Sequence, residues 1–119
     1  YESLANGYYT NQPLLQNCAN VLNVWFDDLD FSYKDKDGHT HTGLQPEQAK
    51  EIVEFIRANK NKQLAIVHCA AGVSRSGSVA QFIADMWHIP YDKFTRMNPS
   101  ISVKAHFTQT LNEALNKIT

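Results

Sequence analysis

The stretch Leu64-Ala65-Ile66-Val67-His68-Cys69-Ala70-Ala71-Gly72-Val73-Ser74-Arg75-Ser76 decides how this chain is read. An apolar run leads into a cysteine. Five uncharged residues separate that cysteine from an arginine, and a helix-like pattern follows. A strand entering a helix through a short Gly-containing loop aims several backbone N–H groups at one point, and the helix N-terminus adds partial positive charge there. A dianionic phosphate fits such a nest. Arg75 closes it with a guanidinium fork that matches two phosphate oxygens, and Gly72 permits a close approach that a Cβ would block. Cys69 then lies beneath the bound phosphorus. Nest, helix end and arginine all favour its thiolate, the form that acts as a nucleophile. Ser76 is placed to donate a hydrogen bond to that thiolate, and His68 to fix the loop through a ring hydrogen bond. Ser74 is expected to offer its N–H rather than its hydroxyl. The competing reading is a structural cysteine after a core strand, with an unrelated surface arginine.

Upstream, Val21-Leu22-Asn23-Val24-Trp25-Phe26 reads as a buried strand. It runs into Asp27-Asp28-Leu29-Asp30, the acid cluster that follows a core strand. Cleaving a phosphate ester needs a proton for the leaving oxygen and then a base for water, and one carboxyl group can serve in turn. That group is expected among these aspartates. Pro46 opens a helix, with Gln45 before it and Glu47 in its first turn. Ala49, Ile52, Val53, Phe55 and Ile56 give it an apolar face that continues to about Asn59. Strand, helix and strand predict a right-handed βαβ crossover, with Asp28 and Cys69 opening on one edge of the sheet. The fold class expected is therefore α/β: a small, mostly parallel sheet flanked by helices, with the phosphate-binding loop between a central strand and a helix. Two strands are too few to support a domain. The rest of the sheet must come from residues before Val21 (Tyr8-Tyr9-Thr10 among them, after an Asn6-Gly7 turn), from the flanks of Asp37-Gly38, or from sequence before Tyr1.

Residues 31–43 are polar, and Asp37-Gly38 is a two-residue turn signal that predicts a small exposed hairpin beside the acid loop, placed to gate the site. His39 and His41 would share a strand face there, but further metal ligands are not evident, and no metal is assigned. After Ser76, the residues Val79, Phe82, Ile83, Met86 and Trp87 form one face of a core helix that Ile89-Pro90 ends. A short helix or turn over Tyr91–Met97, a loop at Asn98-Pro99-Ser100-Ile101, and an amphipathic helix from about Val103 to Ile118 complete the chain.

The sequence has 119 residues and a net charge of −1. That length predicts a single domain over 1–119, and that charge argues against a nucleic-acid or anionic-membrane surface. No apolar run reaches the length of a membrane span. The first residue, Tyr1, is not a methionine, which leaves preceding sequence open. Cys18 and Cys69 make no disulfide framework. A catalytic thiol needs a reducing compartment, so a cytoplasmic location is expected. Cys18 reads as a core cysteine near a strand, the alternative being a protective disulfide with Cys69.

His68, Cys69, Gly72, Arg75 and Ser76 together match His-Cys-x-x-Gly-x-x-Arg-Ser/Thr. Over roughly Val21 to Leu115 the chain resembles the cysteine-dependent protein tyrosine phosphatase superfamily, in particular its compact dual-specificity branch. The resemblance implies that Cys69 forms a phosphocysteine intermediate and that Arg75 holds the transferring phosphoryl group. It implies too that the amides of Ala70, Ala71, Gly72, Val73, Ser74 and Arg75 line the cradle. It picks Asp28 as the acid, with Asp27 the alternative on a tryptophan-x-aspartate reading. Lys104 stands where the family often has an asparagine supporting the loop. Ala70, Ala71, Val73 and Ser74 stand where lipid-phosphatase relatives carry lysines, which disfavours a phosphoinositide substrate. The implied activity is metal- and cofactor-independent hydrolysis of phosphotyrosine in a protein or peptide, with phosphoserine and phosphothreonine left open. A non-catalytic phospho-binding module and an RNA 5′-phosphatase are the rival readings.

Overall fold

The computed structural model describes residues 16–29, 31–62, 64–69 and 74–118. Among the described residues four helices carry the architecture: α1 (Pro46–Ala58), α2 (Arg75–Met86), α3 (Tyr91–Met97) and α4 (Ala105–Ile118). Helix α4 lies between α1 and α2 and packs on both, and α3 packs on α2. The apolar stripe of α1, Ala49, Ile52, Val53 and Ile56, is buried in a core shared with Phe82 and Ile83 of α2 and Phe107, Leu111 and Ala114 of α4. The helical periodicity therefore places these residues as expected. Helix α4 starts slightly later than read, because the Lys104 carbonyl already accepts the N–H groups of Phe107 and Thr108.

The expected α/β fold, a small and mostly parallel sheet flanked by helices, is not what forms. Among the described residues the only sheet is a two-stranded antiparallel hairpin, β1 (Tyr33–Lys34) with β2 (Thr40–His41). Neither the 21–26 segment nor the 64–67 segment is a strand of a sheet. Their burial supplies the physical reason. A parallel strand must be covered on both faces, yet Leu64 is 73% and Ile66 81% exposed, and Trp25 is 49% exposed. Leu22, Val24, Phe26 and Val67 do pack against the core, but against helices rather than within a sheet.

Val21 pairs with Cys18 in an isolated backbone bridge, and side chains take several of the backbone groups that follow. Asn17 Oδ1 accepts the N–H of Asn23 at 2.7 Å. The Gln48 amide donates to the Trp25 carbonyl. Arg75 Nη1 donates to the Phe26 carbonyl at 2.9 Å. Asn59 at the far end of α1 donates to the Ala19 carbonyl at 3.0 Å. From the turn at Ala19 to Trp25 the chain thus runs antiparallel along α1 and delivers Asp27 and Asp28 to the end where α1 begins. Gln48 also accepts the N–H of Gln45 at 3.0 Å, so one side chain fixes both the helix start and this segment.

The hairpin is where Asp37-Gly38 placed it. Gly38 takes φ 82°, the left-handed geometry that favours glycine, and Tyr33 pairs with His41 and Lys34 with Thr40. Cys18 is exposed rather than a core residue, and bonds Asn20 locally. The turn and strand read in residues 6–10 lie outside the described residues. No helix among the described residues is long and apolar enough to cross a membrane.

Candidate functional site

Three parts of the chain converge at the start of α2. The first is the helix itself. A glycine at position 77 lets the loop before α4 press onto it: a Cβ there would stand 2.9 Å from Ile101 Cβ. Ser78, fully buried, donates its hydroxyl to the Ser74 carbonyl at 2.8 Å and accepts the Lys104 N–H at 2.9 Å. Lys104, which stands where the family often has a supporting asparagine, is tied to the start of α2 by its backbone N–H through Ser78, which bonds the Ser74 carbonyl. Ser78 was not singled out from the sequence. Its signal was the four-residue spacing from Ser74, which brings a helical hydroxyl back to a carbonyl one turn earlier.

The second part is the cysteine. Cys69 is partly buried, and its thiol donates to the buried Ser76 hydroxyl at 3.3 Å. The same geometry would let the Ser76 hydroxyl donate to a Cys69 thiolate. His68 is exposed ahead of the thiol. Ala70, Ala71, Gly72 and Val73, expected to line a phosphate cradle, lie outside the described residues.

The third part is the acid loop. Asp28 Oδ1 accepts a hydrogen bond from the Ser74 hydroxyl at 3.1 Å, across 46 residues of chain. Asp27 turns elsewhere: its N–H donates to the Thr42 carbonyl at 2.8 Å, and its carboxylate lies 3.6 Å from His41 Nδ1. The two adjacent aspartates are therefore separated by their partners. Asp28 joins the α2 start, whereas Asp27 joins the hairpin. Arg75 commits one terminal nitrogen to the Phe26 carbonyl, and a guanidinium carries five donors in all.

His41 lies between two carboxylates. Its Nε2 is 2.9 Å from Asp35 Oδ2, and its ring stacks on Tyr33 with centroids 4.9 Å apart. The Asp35 hydrogen bond raises the His41 pKa against an opposing desolvation, with the charges of Asp35 and Asp27 adding to the rise. Asp35 is lowered, first by the His41 hydrogen bond and then by the N–H of His39. A raised histidine stabilises the fold fully below its ordinary value of 6.5, and that contribution disappears as pH rises through the folded value. A lowered carboxylate stabilises above its ordinary 3.8 and loses its effect as pH falls through the folded value. Docking of the hairpin on Asp27 is therefore expected to be tightest between those two ordinary values and to loosen on both sides. Hydrogen exchange at the Asp27 amide across this range checks it, and His41→Ala should remove the loosening on the alkaline side.

Asp35, Asp37 and His39 bring ligand atoms within 4.8 Å of one another. Asp35 already accepts the N–H groups of Asp37 and His39, which accounts for the cluster as a turn, and no metal is assigned to it. No family model, curated protein or solved structure matches this chain.

Proposed function

We propose that the chain is a metal-independent, cysteine-dependent phosphomonoesterase acting on phosphotyrosine in a protein or peptide. The observation that carries this reading is the meeting of Asp28 with Ser74, the residue just before Arg75 at the start of α2, at 3.1 Å. An acid and a nucleophile that act on one phosphate must be held at one place, and their distance along the chain makes this pairing specific. The Cys69–Ser76 contact at 3.3 Å gives the sulfur a hydroxyl donor once ionised. The Cys-x5-Arg-Ser spacing and the absence of lysine at positions 70, 71, 73 and 74 support phosphotyrosine over a phosphoinositide.

In this mechanism the Cys69 thiolate attacks phosphorus in line, and the sulfur–phosphorus bond forms as the bond to the tyrosine oxygen breaks. Asp28 gives its proton to that oxygen. Asp28, now a carboxylate, takes a proton from water, which attacks phosphorus and releases both phosphate and the thiolate. Arg75 binds the phosphoryl oxygens throughout. The reading places the enzyme in a reducing, cytoplasmic setting.

Hydrolysis of para-nitrophenyl phosphate tests this. It should survive a chelator and stop with vanadate or a thiol alkylator. Phosphate binding without turnover would instead identify a non-catalytic binding module. On a phosphotyrosine peptide, Asp28→Ala should lower kcat about 10²-fold or more, the range of a general acid, while Asp27→Ala stays near wild type. A dead Asp27→Ala beside an unaffected Asp28→Ala would move the acid to Asp27.

A further inference from the structure

We infer that Ser74 is the positioning residue for the acid, an inference that rests on the phosphatase reading above. Its hydroxyl selects which oxygen of Asp28 faces the leaving group. A serine just before the first residue of a helix ordinarily turns its side chain onto an N–H of the first turn. Ser74 occupies that place before α2 and makes no such bond. Its hydroxyl goes to Asp28 Oδ1 at 3.1 Å instead. The backbone of Ser74 is held from the inner side of the helix, where the buried Ser78 hydroxyl donates to its carbonyl at 2.8 Å. Ser78 is tied in turn to the Lys104 N–H. Ser74 is itself only 8% exposed, whereas Asp28 is exposed. A rigid donor therefore reaches out to a carboxyl group that would otherwise rotate in solvent.

The chemistry follows from one hydroxyl proton. The Ser74 O–H points at Oδ1, so the catalytic proton of Asp28 resides on Oδ2. In the first step Oδ2 gives that proton to the departing oxygen as the sulfur–phosphorus bond forms. In the second, Oδ2 takes a proton from water as that bond breaks, and Ser74 stabilises the other oxygen of the carboxylate. Asp27 is turned away from Ser74, with its N–H on the Thr42 carbonyl and its carboxylate 3.6 Å from His41 Nδ1.

The test is a leaving-group series on the full chain, comparing phenyl phosphate, whose poor leaving group needs protonation, with para-nitrophenyl phosphate, which needs it far less. Ser74→Ala should lower kcat/KM roughly tenfold on phenyl phosphate, a loss expected from a misplaced acid, and change para-nitrophenyl phosphate by less than about twofold. Vanadate inhibition should hold within about twofold. Ser74→Thr should restore the phenyl phosphate rate. Ser74→Gly, which removes the hydroxyl at a helix start that tolerates glycine, should match Ser74→Ala and covers the case of a misfolded alanine variant. Adding Ser74→Ala to Asp28→Ala should cost nothing more. Equal losses on both substrates, or full additivity with Asp28→Ala, would overturn the role of Ser74 alone. A wild-type chain that hydrolyses neither ester overturns the phosphatase reading, and this inference with it.

Discussion

Cys69→Ser is expected to abolish turnover while leaving phosphate binding intact, the largest effect of any single substitution in this chain. Serine keeps the size of the side chain and its contact with the Ser76 hydroxyl 3.3 Å from the sulfur, so the start of α2 should fold unchanged. Without a nearby base, however, a serine hydroxyl stays protonated at neutral pH and is a poor nucleophile. Removing the nucleophile of a covalent enzyme costs on the order of 10⁶-fold in kcat when the rest of the machinery is intact. Arg75→Ala should behave differently, losing turnover and phosphate binding together. A hydrogen bond to a charged group contributes about 1.5–3 kcal/mol, so losing the fork should weaken phosphate or vanadate by roughly 10- to 150-fold. The same change removes the 2.9 Å bond to the Phe26 carbonyl and loosens the acid loop. Isothermal titration with vanadate and a phosphotyrosine-peptide assay separate the two outcomes. A Cys69→Ser protein that still turns over would sink the covalent mechanism.

Phe107→Ala should cost about 3–5 kcal/mol, the range for truncating a buried aromatic residue. Phe107 is 1% exposed at the start of α4, with its ring 5.4 Å from that of Phe26 and 4.1 Å from that of His106. A small domain is stable by only about 5–15 kcal/mol, so this one change removes a large fraction of the total. The consequence for the site is specific. Phe26 holds the upstream segment against the core by this ring contact, and its carbonyl receives Arg75. A urea midpoint should fall sharply, with the remaining folded protein showing weaker docking of the acid loop. An unchanged midpoint would mean that the core is not organised around α4.

Much of the helical part of the structure was legible in the sequence, because the hydrogen bonds of a helix are local and the apolar stripe only has to point inward. The stripe Ala49, Ile52, Val53 and Ile56 defines α1, and Phe82 with Ile83 defines the buried face of α2. The hairpin was legible from two residues, since Asp37-Gly38 brings its own backbone geometry. The sheet was misread. Val21–Phe26 and Leu64–Val67 have the composition of buried strands, but a strand needs a partner and a cover on each face, and both are supplied from elsewhere in the chain. Here Gln48 and Arg75 side chains take the carbonyls that a neighbouring strand would have taken. Nothing in the segment's own composition announces that substitution.

The closeness of Cys69 to Ser76 at the start of α2 was legible in the spacing. Cys69, Arg75 and Ser76 lie within eight consecutive residues, and the thiol meets the Ser76 hydroxyl at 3.3 Å. The preference for Asp28 over Asp27 came from the family resemblance and not from spacing. Tertiary packing turned Asp28 toward Ser74, 46 residues away, and Asp27 toward His41. Phe26, the residue before them, seats its ring on Phe107, and a contact between distant residues cannot be inferred from either residue's immediate neighbours.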